Sequence, residues 1–304
     1  MNHHEPIRDA RQLGLPKMLI LGLQHMFAMF GATVLVPILV QGYGLPLSIQ
    51  TTLFFAGVFF HVCTKLKVPA FLGSSFAYLG GFSAVAQLDS GIYANMTGEE
   101  KLPYALGGIV IAGLMYLVLA ALIRLLGVRK VMRYLPPVVT GPIIILIGLS
   151  LAPSAINNAS TNWWLALLSI AVVIAANIWG KGMIKIIPIL LGVVIPYVVA
   201  LATNQVDFSG MAAAELVGLQ PFVLAKFDLT SILVMAPIAV AAMMEHIGDM
   251  SAISATVGEN FIENPGLHRT LIGDGIATSL AGMFGGPANT TYGENTGAGA
   301  VPGL

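Results

Sequence analysis

The sequence predicts an all-α polytopic membrane protein built on inverted repeats of seven spans, with two spans broken by short extended segments. Three observations carry that prediction: a composition that is 57% hydrophobic and 9% charged over 304 residues, a succession of apolar runs, and two motifs that recur in opposite halves of the chain. The mean hydropathy is +0.86. Soluble domains carry about a quarter charged residues, and disordered chains are charge-rich and apolar-poor. Neither class accommodates this chain, which leaves a polytopic membrane protein.

The 14 basic and 14 acidic residues cancel, so global charge points to no nucleic-acid partner. Cys63 is the single cysteine; an intrachain disulfide and a cysteine-based metal site are excluded, and the thiol reads as a small packing group. The opening stretch MNHHEPIRDARQLGLPK lacks the apolar core and cleavage site of a signal peptide. His3 and His4 within it read as solvated tail residues rather than metal ligands.

About 20 apolar residues cross a bilayer as a helix. The runs predict spans at 17–40, 46–64, 69–87, 104–126, 135–152, 162–180, 183–203, 229–253 and 267–284, with a broken tenth from Pro287. The third is rich in Gly and Ser. Basic residues collect on the cytoplasmic side. With the N-terminus inside, all of the 14 basic residues but Lys101 and Lys226 fall in inside loops. Residues 1–16 are then a cytoplasmic tail, 17–203 a first repeat, 204–228 an extracellular connector and 229–304 the start of a second repeat. Trp163 and Trp164 stand at the outer start of the sixth span, where interfacial aromatics gather.

The repeat rests on two echoes. LQHMFAMFG in the first span returns as MMEHIGDMS in the eighth, and PAFLGSSFAYLGG in the third returns as PANTTYGENTG in the tenth. Their offsets agree closely, at 221 residues (25 to 246) and 216 (76 to 292). Seven spans separate each pair, an odd number, so the second copy runs oppositely through the membrane. That is the inverted-repeat plan of secondary transporters. About ten of fourteen spans are present, so the chain reads as part of a longer plan.

An ionisable group inside a span marks a functional site by default. Glu245, Asp249, Asp274 and Glu294 lie in apolar runs. Glu245 and Asp249 are four apart and share a helical face. Asp249 stands nearer the cytoplasmic end, where a wet, uninvolved carboxylate is the bland alternative. Asp274 lies close to Arg269 in sequence and reads as a packing or ion-pair residue. His25, beside Gln24, reads as an interhelical hydrogen-bond donor. The third and tenth segments, with Ser-Ser-Phe and Thr-Thr-Tyr, favour extended backbone, which survives at membrane depth only where it is buried in protein or lines a cavity. Two such breaks in matching halves point to a binding site. Carboxylates, free backbone amides and the aromatics Phe76 and Tyr292 suit a planar heterocycle with adjacent N–H and C=O groups. No His/Cys set has metal-ligand spacing, and no nucleophile–base pair stands out.

LQHMFAMFGATVLVP (23–37), PAFLGSSFAY (69–78), EHIGD (245–249), NPGLHRTLIGDG (264–275) and GGPANTTYGENTG (285–297) together resemble the nucleobase–ascorbate transporter family, nearest its bacterial uracil permeases. The resemblance covers essentially the whole chain. It implies fourteen spans, a core domain holding spans 1–4, a gate domain holding spans 5–7, and short antiparallel strands in spans 3 and 10. It implies proton-coupled import of a nucleobase, with uracil first, across the plasma membrane, with no cofactor beyond the proton. It assigns base binding to Glu245, Glu294, Phe76, Gly293, Tyr292 and Ala32, proton coupling to Glu245 and Asp249, and support to His25, Gln24 and Asn295. It leaves room for a homodimer in the bilayer. Two departures stand out. Some uracil permeases carry histidine where this chain has Asp249, and Pro302 replaces a threonine of the family signature that Asn295 and Gly297 otherwise fit. The missing spans imply that these 304 residues alone do not transport. The alternatives are a xanthine, uric acid or other pyrimidine carrier, and an anion transporter of the same plan.

Overall fold

The computed structural model describes residues 14–133, 137–209, 218 and 222–293. Helix α1 runs Leu15–Gln41, α2 Ile49–Cys63, α3 Leu79–Ala86, α4 Gly98–Leu126, α5 Val128–Met132 and α6 Pro137–Ser160. Then come α7 Trp163–Trp179, α8 Met183–Ile186, α9 Pro188–Ala202, α10 Leu229–Met235, α11 Ile238–Val257 and α12 Leu267–Met283. Two strands, β1 Leu72–Ser74 and β2 Asn289–Thr291, and short helical turns at Phe76–Tyr78, Gly91–Tyr93 and Ile262–Gly266 complete the described elements.

Local chemistry sets several helix ends. Thr97 accepts from the Glu100 N–H, and the Glu100 carboxylate accepts from the Thr97 N–H, a reciprocal cap that starts α4. The Asn162 side chain caps α7 on Leu165 N–H, and Asp228 caps α10 on Thr230 N–H. Pro237 has no N–H to continue the ladder, so α10 and α11 are distinct pieces of one long apolar helix. Helix α11 ends on Gly258, whose φ of 74° is the left-handed closing conformation that glycine adopts freely.

Among the described residues, four helical stretches are long and apolar enough to cross a membrane: Leu15–Gln41, Gly98–Leu126, Gly141–Ser160 within α6, and Leu229–Val257 across the α10–α11 junction. At about 1.5 Å per residue, the 27 residues of α1 exceed the hydrocarbon thickness. Helix α6 extends well past the predicted 152, because Asn157 and Asn158 end an apolar run without ending a helix.

The described residues divide into two compact units, one of residues 14–30, 150–209 and 218, the other of residues 31–133, 137–149 and 222–293. In the first unit, α7 packs on α9. Ser169 donates to the Gly192 carbonyl at 2.7 Å, and a Cβ at Gly192 would collide with the Val173 side chain. Leu167, Ile170, Ile174 and Ile178 form an exposed apolar face on α7, with Trp163 and Trp164 exposed at its start. Such a face belongs against lipid rather than water.

In the second unit, α12 lies packed against both α2 and α4. Membrane helices associate through close approach of small residues. A Cβ on Gly275 would sit 2.7 Å from the Gly113 carbonyl oxygen, and one on Gly273 2.8 Å from Phe60 Cα. Ser279 Oγ donates to the Val110 carbonyl at 3.0 Å. Phe60, Phe82, Leu106, Ile109, Tyr116 and Leu271 fill the surrounding core. Between α2 and α3 the chain runs extended as β1, then turns through a tight Phe76–Tyr78 helical turn into α3. After α12 it runs extended again as β2, which pairs antiparallel with β1: Leu72 faces Thr291, Gly73 faces Thr290 and Ser74 faces Asn289. Both expected extended segments are thus present, and they pair across more than 200 residues of sequence.

Candidate functional site

The strand pair is fixed by its side chains as well as its ladder. The Tyr292 hydroxyl accepts from Thr33 Oγ1 at 3.1 Å and donates to the Ser74 carbonyl at 3.0 Å. Ser74 Oγ donates to the Thr33 carbonyl at 3.0 Å. The Tyr292 ring stacks on Phe71, with centroids 6.0 Å apart. This places α1, β1 and β2 in one hydrogen-bonded cluster. Gly73 permits it: a Cβ there would lie 2.5 Å from the Tyr292 hydroxyl and 2.6 Å from Thr33 Oγ1. The rest of the β2 backbone is also held, with Tyr292 N–H donating to the Phe71 carbonyl and Ser75 N–H to the Ala288 carbonyl.

Helix α11 brings the two spaced carboxylates to β2. Thr290 Oγ1 donates to Glu245 Oε2 at 3.3 Å, and Thr291 Oγ1 donates to Asp249 Oδ2 at 2.7 Å. Four residues make just over one turn, so both acids project from one face. Both are half-buried. Gly293 follows β2, exposed, with its Cβ direction 3.1 Å from Asp249 Oδ1. Phe76, half-buried, begins the turn after β1. Glu245, Asp249, Phe76, Tyr292 and Gly293 therefore sit around one strand pair. Gln24 is buried and His25 half-buried on α1. Ala32 belongs to α1, within Leu15–Gln41. Glu294 and Asn295 lie outside the described residues. Among the described residues, no three His, Cys, Asp or Glu side chains gather for a metal ion.

Of the two roles expected of Asp274, helix packing is the one it has, and the ion pair with Arg269 is not. Five residues turn a helix through about 140° beyond a full circle, which points the two side chains apart. Arg269 instead reaches the Cys63 carbonyl. Asp274 Oδ2 lies 2.9 Å from His246 Nδ1, and both side chains are fully buried. One turn further along α12, Thr278 Oγ1 accepts from Asn289 N–H at 3.1 Å. His246, Thr278, Thr290, Thr291 and Thr33 were not singled out from sequence. The signal for His246 was present: it follows Glu245 directly and so points about 100° around the helix, away from the carboxylate face.

The sequence profile of the Permease family (Xan_ur_permease) matches residues 16–303. The uracil permease of Bacillus caldolyticus is 40% identical over 311 residues, covering 97% of this chain and 68% of its own length. The probable uracil permease of Pasteurella multocida is 38% identical, over 93% of this chain and 67% of its own. The uracil permease of Bacillus subtilis is 38% identical, over 92% and 66%. The chain thus spans about two thirds of the length of these relatives. Among solved structures, the transmembrane domain of a cyanobacterium bicarbonate transporter, BicA, superposes with a TM-score of 0.53 at 18% identity, covering 91% of this chain and 76% of that one. That likeness concerns the fold alone. The apolar helices, the paired breaks and these matches converge on a membrane transporter rather than an enzyme, and the chain belongs to the Permease family.

Proposed function

We propose that the protein forms the substrate-binding part of a proton-coupled nucleobase importer, with uracil as the preferred base. The observation that carries this reading is the meeting of the β1–β2 pair with the Glu245–Asp249 face of α11. Each edge of a uracil ring sets an N–H beside a C=O, so a carboxylate accepts from the N–H while a backbone amide at a strand end serves the carbonyl. Glu245 would accept from the base in place of the Thr290 hydroxyl. Phe76 would face the ring, Gly293 would offer its amide, and Tyr292, its hydroxyl engaged, would form the adjoining wall. The family resemblance adds Ala32 and Glu294 to base binding, and Gln24, His25 and Asn295 as supporting residues. The names of the relatives support uracil over xanthine or uric acid.

Coupling is assigned to Glu245 and Asp249. Both carboxylates project from one face of α11 and each already accepts a hydroxyl hydrogen bond from β2, so either is placed to take a proton beside the bound base. We read the two halves as inverted seven-span repeats, with a core of spans 1–4, a gate of spans 5–7 and an inside N-terminus at the plasma membrane. The test is radiolabelled uracil uptake, against external pH, by cells expressing these residues within a chain that carries all fourteen spans of the plan. Uptake that a protonophore leaves intact contradicts coupling. A pH profile unmoved by Asp249→Asn removes Asp249 from the proton's path.

A further inference from the structure

We propose that His246 and Asp274 are positioning residues for the α11 site. Their hydrogen bond anchors α11 to α12, and it keeps Glu245 turned toward β2 once substrate has displaced the Thr290 hydroxyl. The inference rests on the site reading above.

The geometry is a closed triangle. Helix α11 joins α12 through His246 and Asp274, at 2.9 Å. Helix α12 joins β2 through Thr278 and the Asn289 N–H, at 3.1 Å. Strand β2 returns to α11 through Thr290 on Glu245 and Thr291 on Asp249. Asp274 and Thr278 are one turn apart, so a single face of α12 serves both α11 and β2. When a base takes Glu245, the Thr290 contact gives way and Thr291 on Asp249 alone holds that side of the triangle. The His246–Asp274 side remains.

That side is well placed to bear the load. Both side chains have no exposed surface, and the imidazole is boxed by the rings of Phe60 and Tyr116, each edge-on at 6.3 and 6.4 Å. Helix α12 is itself held between α2 and α4 by glycine contacts, so the anchor ties α11 to a helix packed closely on two others. His246 and Glu245 are sequence neighbours on different faces of one helix. A rotation of α11 that freed His246 would carry Glu245 away from β2.

The experiment compares the protein with His246→Ala, Asp274→Ala, Asp274→Asn and the double variant His246→Leu/Asp274→Leu. Uracil affinity and amide hydrogen exchange of segment 286–293 are measured on each. Removing one partner of a buried polar pair is expected to weaken uracil binding, and raise exchange in that segment, by about tenfold or more. Asp274→Asn keeps an oxygen facing Nδ1 and is expected to stay within about threefold of the parent on both readouts. The leucine pair replaces buried polar groups by apolar packing, which commonly preserves stability, so the chain folds while affinity stays low. Recovery of parent affinity in the leucine pair assigns a structural role only and overturns the proposal. So does Asp274→Asn behaving like Asp274→Ala, or unchanged exchange in both alanine variants. A parent that binds no uracil overturns the site reading instead, and exchange at 286–293 still decides the anchor.

Discussion

At the scale of single residues, the most exacting position is Gly73. The space a Cβ would need is filled by Tyr292 and Thr33, whose hydroxyls are held by each other and by the Ser74 carbonyl. Gly73→Ala is expected to cost about 1–3 kcal/mol as an overpacked substitution, read as a lower melting temperature. An unchanged melting temperature contradicts the close packing of β1 on β2. A second residue-scale prediction concerns pH. Tyr93 donates to Asp228 Oδ2 at 2.8 Å, and that hydrogen bond, with the Thr230 N–H, holds the Asp228 carboxyl below its ordinary value. Burial, with Asp228 beside it, pushes the Tyr93 hydroxyl up to about 12. The Asp228 contribution to stability is therefore present above the ordinary carboxylate range. It is lost as pH falls through the lowered value. The gap in melting temperature between the parent and Asp228→Asn should narrow as pH drops below about 4. A gap independent of pH contradicts it. The site was partly legible at this scale. Glu245 and Asp249 stood out because carboxylates are rare in apolar runs. The threonines that meet them did not, because Thr in a strand is ordinary and only the register shows which face it serves.

At the scale of elements, the packing of α12 rests on backbone closeness rather than on large side chains. Gly113 and Gly275 meet across α4 and α12, where a Cβ on Gly113 would lie 2.6 Å from the Gly275 carbonyl oxygen. Gly275→Val is expected to push the helices apart and to lower stability by about 1–3 kcal/mol. Val128→Ala, on the short α5, should be much milder. Equal loss from the two contradicts the assignment of the core to α4 and α12. The sequence named nearly every helix because apolar length is a direct consequence of bilayer thickness. It named both extended segments because Gly, Ser and Thr in series make poor helices. It did not show the junction at Ala236–Pro237, since α10 and α11 share one apolar run. Nor did it show that Asp274 faces His246, because a contact between two helices leaves no mark in the spacing of either.

At the scale of the whole molecule, the reading requires a defined orientation. Lys65 follows α2 and Glu99 begins α4. With the N-terminus inside, they lie on opposite sides of the membrane. In a Cys63→Ser background, Glu99→Cys should react with an impermeant maleimide from outside intact cells, and Lys65→Cys should not. The reverse pattern inverts the orientation. The sequence yields an orientation to test because basic residues sort between loops. Substrate choice was not legible, because a carboxylate beside a strand pair suits more than one heterocycle. The fold shared with a bicarbonate transporter domain shows that architecture alone does not decide it.

The central claim is that the strand pair and Glu245 form a nucleobase site. It is tested most directly by thermal stabilisation of the purified protein with uracil, xanthine, uric acid and bicarbonate, in parent and Glu245→Ala. Binding to the folded state raises apparent stability with the ratio of ligand to dissociation constant. The account predicts a concentration-dependent rise with uracil, smaller or absent with the others, and abolished by Glu245→Ala. A rise with bicarbonate alone, or a uracil response that Glu245→Ala leaves intact, contradicts it.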